Sequence, residues 1–201
     1  MKPRNGFTII ELMVVVIIMG IVVAIAIPQA LTAVKAYRLH SDAAALAGQL
    51  SVTRFRATSQ NAPYRLVITT SVIPHTFDTE RLCGGTSSST DSACTTIYSP
   101  RTNPIEGGTI PINQGNTFTT TNPGGTTSFP GTITAAAAGA TTFYFNTRGM
   151  PVNSTGNPLS SGGAVIYVTN NSNLTDAIVV SIGGQVSTYQ WKPSTSTWLA
   201  R

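Results

Sequence analysis

The stretch GFTIIELMVVVIIMGIVVAIAIP, residues 6–28, constrains this chain more than any other. Leu12 to Ile27 is a run of sixteen residues without a charge. Phe7 to Ile27 makes 21 residues. At about 1.5 Å per residue, a helix of that length crosses a hydrocarbon core of roughly 30 Å. A cleavable secretory signal would end in a small-residue A-x-A site. None follows here in the usual way, and the chain continues into an amphipathic pattern. The run is therefore expected to stay in the protein as a transmembrane helix. Lys2 and Arg4 precede it and set the N-terminal end on the cytoplasmic side.

Glu11 sits inside this run. A carboxylate in a membrane helix is costly and is usually paired or functional. One reading puts Glu11 near the interface, where it snorkels at modest cost. The other gives it a cationic partner made by cleavage: cutting after Gly6 frees the amino group of Phe7, one turn away on the same chain or on a neighbour.

The segment KPRNGFTIIELMVVVIIMGIVVAIAIP resembles the leader and N-terminal helix of type IV pilins and type II secretion pseudopilins. The resemblance implies a leader at residues 1–6, cleaved between Gly6 and Phe7 by a prepilin peptidase, and N-methylation of Phe7. It implies that Glu11 pairs with a subunit's N-terminus during filament assembly. Other pilin subunits and an inner-membrane assembly platform are then partners. The implied location is the bacterial inner membrane, single-pass with a periplasmic head, and afterwards a pilus or pseudopilus filament. Gly20 and Pro28 fall where pilins carry helix-weakening residues. Gly costs about 1 kcal/mol in a helix and Pro removes a hydrogen bond, so the segment between them either bends or melts locally, or Pro28 only kinks it. In a filament core an unpaired Glu11 would be prohibitive, and pairing it fixes axial register.

After Pro28 the pattern becomes amphipathic. Leu39, Ala43, Leu46, Leu50, Thr53 and Ala57 recur at spacings of three and four, one face of a helix. Lys35, Arg38, Asp42, Arg54 and Arg56 avoid that stripe. Arg54 and Arg56 read either as a phosphate-binding pair or, as favoured here, as a solvated polar face. Asn61-Ala62-Pro63 ends the pattern. One helix is thus expected from about Phe7 to Gln60, membrane core over 7–28 and head-packing over 29–62.

Residues 63–201 read as a β-rich globular head. Segments rich in β-branched and aromatic residues fall at 64–69, 95–99, 109–112, 117–121, 131–135, 142–145, 164–169, 177–182 and 185–191, divided by Gly, Pro and Asn clusters. Gly183-Gly184 predicts a two-residue hairpin between the last two strands. Charged residues are only 9% of the chain, and Gly, Ser, Thr, Asn and Pro fill much of the polar surface, as suits an exported β domain. Cys83 and Cys94, in a Ser/Gly-rich loop, are expected to form a disulfide in that setting.

The head also resembles GspH/FimT-type minor pilins and pseudopilins, at LAGQLSVTRFRATSQNAPYRLVI, TFYFNTRGMPVNSTGNP and AIVVSIGGQVSTYQW. That resemblance implies an α+β fold, one long helix packed on two antiparallel β-sheets. Major pilins carry a C-terminal disulfide loop, whereas these cysteines are mid-chain, which argues against the main shaft subunit. Some FimT-like proteins bind DNA through a basic C-terminal region. Here that region offers Lys192, Arg201, Trp191 and Trp198. Single-stranded DNA binders combine cations with aromatic platforms. Against it, two cations are few, and tryptophans more often fill a core.

The net charge is +5, and without Lys2 and Arg4 ten basic side chains face seven acidic ones, a mild bias toward anionic partners. No phosphate-binding loop, paired carboxylates or G-x-S-x-G elbow is present. His40 and His75 have no clustered partners, so neither a metal nor a cofactor is expected, and the chain reads as not an enzyme. NST at 153–155 and NLT at 173–175 match the N-glycosylation pattern, read here as chance.

Overall fold

A computed structural model describes residues 8–82, 100–105, 107–122, 141–159, 162–170 and 174–201, with only the backbone described at 100–105. The proposed cleavage site, Gly6 and Phe7, lies outside the described residues, as do Cys83, Cys94 and the segments 95–99 and 131–135. The chain divides into two units, Met1–Tyr37 and Arg38–Arg201.

One helix, α1 (Ile9–Ser59), runs through Gly20 and Pro28. It starts at Thr8, whose hydroxyl accepts the Glu11 backbone N–H at 3.3 Å. It ends in a Schellman motif. Asn61 takes the left-handed conformation (φ 46°), and Ala62 N–H donates to Ala57 C=O at 3.2 Å. Ala57 and Ala62 are both buried, so an apolar contact accompanies the cap. Pro63 then forbids continuation.

The second unit holds the head. Its first sheet has six strands: β1 (Tyr64–Thr69), β2 (Thr76–Leu82), β3 (Pro100–Ile105), β4 (Ile110–Pro111), β6 (Thr142–Phe145) and β7 (Pro151–Val152). The order is β3-β2-β1-β6-β7, with β4 also on β2. The second sheet runs β11-β10-β9-β8-β5, from β5 (Asn116–Thr119), β8 (Ala164–Asn170), β9 (Thr175–Val180), β10 (Val186–Lys192) and β11 (Thr197–Ala200). Every pairing is antiparallel. The fold is α+β, one long helix with two antiparallel sheets.

The predicted helical stripe is the buried one: Leu39, Ala43, Leu46, Leu50, Thr53 and Ala57. It shares one core with Tyr64, Leu66 and Phe145 of the first sheet and Ile166, Ile178 and Val180 of the second. The opposite face of the second sheet buries its own cluster, which includes Tyr167, Val179, Tyr189, Trp191 and Trp198. Trp191 and Trp198 pair across β10 and β11, with ring centroids 5.1 Å apart.

Several expectations shift. β2, β3, β7 and β11 fall outside the strands expected from the sequence. TFDTERL breaks the alternation because Asp78 and Thr79 are buried along with Phe77. The last strand is β11, reached through the turn that holds Ser196 at φ 50°. The β9–β10 loop is one residue longer than expected. Gly184 N–H closes a turn on Ser181 C=O at 2.8 Å, and Ser181 N–H bonds Gln185 C=O at 2.9 Å. Gly184 takes φ 79°, so the loop is a three-residue turn with a left-handed final glycine.

Candidate functional site

The N-terminal unit is built from apolar residues on all sides of a helix. From Thr8 to Lys35 every residue is exposed, with Ile9 at 82% and Ile27 at 54%. An 18-residue window reaches a mean hydropathy of 3.1 with none of it buried. A helix apolar all round satisfies its backbone internally and leaves its side chains to be covered by something else. Length and composition are those of a membrane span.

Thr8 and Glu11 have the spacing of a capping box, T-x-x-E, immediately before the apolar run. The Thr8 bond to the Glu11 N–H satisfies one of the orphan donors of the first turn. It also fixes Glu11 at the third helical position, where a carboxylate faces the positive end of the helix dipole. The T-x-x-E spacing is the sequence signal for this cap.

Three polar anchors hold the second half of α1 in the head. Asp42 is buried and accepts from Asn113 N–H (3.0 Å), Asn113 Nδ2 (2.7 Å) and Asn116 Nδ2 (2.6 Å). It is thus not part of a solvated face. His40 Nδ1 lies 2.5 Å from Asp176 Oδ2 on β9. Burial pushes the Asp176 carboxyl above its ordinary 3.8, against the opposing pull of the His40 bond and of Arg201. Arg54 donates through Nε to Gly149 C=O (3.1 Å), through Nη1 to Gly184 C=O (2.9 Å) and through Nη2 to Gly183 C=O (3.3 Å). The expected solvated face or phosphate pair is therefore replaced at Arg54 by a tie between the helix and two turns. The tie requires glycine in both turns. A Cβ on Gly149 would lie 2.8 Å from Thr58 Cγ2, and one on Gly184 would lie 2.8 Å from Gly149 C=O. Arg56 lies beside Gly107.

Elsewhere in the head, burial and the neighbouring Glu80 raise the Asp78 carboxyl, and Arg65 opposes them. Burial pushes the Tyr167 phenol up to about 12. Lys192 and Arg201 are exposed, while Trp191 and Trp198 are buried. The structure therefore separates the four candidate DNA-contacting residues into two surface cations and two core rings. Among the described residues no group of three or more His, Cys, Asp or Glu could hold a metal.

Residues 1–27 match the prokaryotic N-terminal methylation motif. That match supports a type IV pilin-like protein: a structural subunit that is processed by prepilin peptidase and interacts with other pilin subunits. Together with the apolar helix it fits a membrane-anchored, single-pass protein. No curated protein and no solved structure matches the chain.

Proposed function

We propose that this chain is a minor pilin or pseudopilin, a subunit of a type IV pilus or type II secretion pseudopilus that primes assembly or sits near the tip. Prepilin peptidase cleaves between Gly6 and Phe7, Phe7 is N-methylated, and the head lies in the periplasm before incorporation. The observation that carries the reading is the methylation motif placed on a helix whose apolar half is exposed on every side. Such a surface needs a bilayer, and then other helices of its kind. The GspH/FimT-type reading rests on the head motifs and on the mid-chain position of Cys83 and Cys94, proposed to be disulfide-bonded.

Glu11 supplies register. Its proposed partner is an α-ammonium at Phe7 or on a neighbouring subunit, the one cation that processing itself creates. The test is incorporation of Glu11→Ala and Glu11→Gln chains into filaments sheared from cells. Both are expected to be processed and membrane-inserted but absent from the sheared fraction. Wild-type incorporation of either variant would refute the assignment.

The alternative, a tip-located head that binds DNA or a surface ligand, draws on a charge asymmetry. Among the described head residues, Arg38, Arg148, Lys192 and Arg201 are exposed and no carboxylate side chain is. Burial of both tryptophans removes the stacking platform, so the assembly reading stands ahead.

A further inference from the structure

One end of the head gathers an apolar loop and two cations. The hydrogen bonds order the first sheet along α1. Tyr64, at the start of β1, donates its hydroxyl to Gln60 Oε1 at 2.6 Å, near the end of the helix. Thr79 on β2 meets Thr53 and Gln49, each at 2.8 Å. His75 C=O, just before β2, accepts Ile112 N–H at 3.0 Å, and the next residue, Asn113, bonds Asp42. The β1–β2 hairpin therefore descends the helix from Gln60 toward Asp42. The loop that joins its strands, residues 70–75, lies where α1 enters the head.

The second sheet runs the same way. β10 leaves the Gly183–Gly184 turn, which holds Arg54, and reaches Gln190, paired with Asp176, the partner of His40. Lys192 ends that strand, beyond Gln190. The entry end thus carries Arg38, Lys192 and the uncharged loop Thr70-Ser71-Val72-Ile73-Pro74. Ile73 is 86% exposed, more than any other large apolar side chain among the described residues, and Val72 beside it is exposed too. Arg38 and Lys192 are exposed. The carboxylates at this end, Asp42 and Asp176, are buried and bonded to Asn113, Asn116 and His40. Among the described residues the entry end therefore shows cations, neutral polar groups and two branched apolar side chains, and no acid.

The chain itself says what meets this surface. No charge falls between Leu12 and Val34, and Lys35, Tyr37 and Arg38 follow, all exposed. Cations and an aromatic ring at the end of an apolar helix are anchors of a bilayer interface. Arg38 is also the first residue of the head unit. From Val34 to Arg38 the chain covers about 6 Å as helix, and at most roughly 14 Å if extended. A bilayer that holds the apolar run is thus tethered close to the entry end, at high effective concentration. Lipid phosphates complement the cations, and each Lys or Arg at an anionic surface favours docking about fivefold. We infer that the entry end of the head docks on the anionic surface of the bilayer that holds its own apolar run, with Val72 and Ile73 inserted among the headgroups and Arg38 and Lys192 on lipid phosphates. The inference rests on the membrane-anchored reading and not on filament assembly.

The test uses the full chain reconstituted in vesicles of phosphatidylcholine, alone or mixed with phosphatidylglycerol. The quenchers are lipids brominated near the top of their acyl chains. Three variants each add one reporter: Ile73→Trp at the entry end, Phe55→Trp toward the other end of the head, and Ile17→Trp in the apolar run. Wild-type emission, from the buried Trp191 and Trp198, is subtracted. In mixed vesicles Ile73→Trp should be quenched and blue-shifted, and Phe55→Trp should be neither. On the Ile73→Trp chain, Arg38→Gln and Lys192→Gln should each lower the ratio of docked to free head about fivefold. Added salt should lower it as well. Quenching of Ile17→Trp reports insertion of the run; its failure would sink the membrane-anchored reading and the inference with it. With Ile17→Trp quenched, the inference alone is overturned if Ile73→Trp is quenched no more than Phe55→Trp, or equally with and without phosphatidylglycerol. It is also overturned if quenching at Ile73→Trp depends on the number of chains per vesicle, which would give the loop to a second copy. None of these outcomes bears on filament incorporation, which rests on residues 1–27.

Discussion

The two halves of α1 are one secondary-structure element with opposite relations to solvent. In residues 9–35 every side chain is exposed and nearly all are apolar. In residues 38–59 a stripe is buried and the flanks are polar. The second half finds its partner inside its own chain, through the core and through His40, Asp42 and Arg54. The first half is apolar on every side and exposed throughout. A helix with a buried stripe is explained by its fold. A helix apolar all round is explained by what surrounds the molecule, and the methylation motif with the apolar run fits a membrane-anchored, single-pass protein.

The sharpest way to break this contrast is to cut equal side chains from both halves. Leu46→Ala, at a fully buried position, should cost the head about 2–5 kcal/mol in denaturant unfolding. Ile17→Ala should leave the head's unfolding midpoint where it was. Comparable losses from both would mean that the first half is also packed on the head.

Next in size is Asp42→Ala, which leaves two Asn side chains and one backbone N–H without their acceptor. A loss of about 3 kcal/mol is expected, since bonds to a charged acceptor are the stronger kind. Arg54→Met should cost about 2 kcal/mol and loosen the Gly149 and Gly183–Gly184 turns, seen as faster amide exchange in those turns. Lysine at Arg54 should rescue little, because one ammonium cannot serve three carbonyls in a fixed fork. Asn61→Ala should cost about 1 kcal/mol, because alanine resists the left-handed cap, and Asn61→Gly should not.

The smallest effect is a pH slope. Asp176 is held above its unfolded value of 3.8 by burial. The folded state therefore keeps that proton over a window where the unfolded chain has lost it. Asp176 contributes stability at low pH that is lost as pH rises through its folded pKa. Asp176→Asn should flatten this component of head stability above the ordinary carboxylate value of 3.8. A steeper fall with rising pH in the variant would contradict the sign.

How much of this was readable in advance follows from which forces are local. The apolar run, the helical stripe, the Asn61-Ala62-Pro63 stop and strands such as YRLVIT depend on patterns within a few residues, and the sequence displays them. β2 was hidden because Asp78 and Thr79 are buried against the usual rule, and no local pattern announces that. Asp42, off the apolar stripe, is buried all the same because Asn113 and Asn116 meet it from 71 and 74 residues away. Arg54 reads from the sequence as part of a solvated face because its carbonyl acceptors lie 95 and 130 residues away. The Thr8–Glu11 cap is local and legible in its T-x-x-E spacing. Trp191 and Trp198 pair across a hairpin whose second strand, only four residues long, carries little strand pattern of its own.

The central claim is that residues 1–27 are a processing and assembly segment and not a plain anchor. The most direct measurement is the mass of the N-terminal peptide of the protein recovered from cells. The account predicts a peptide that begins at Phe7 and carries one methyl group on its amino nitrogen. A peptide that begins at Met1, or at an unmethylated residue, would contradict it and leave Glu11 without the cation assigned to it.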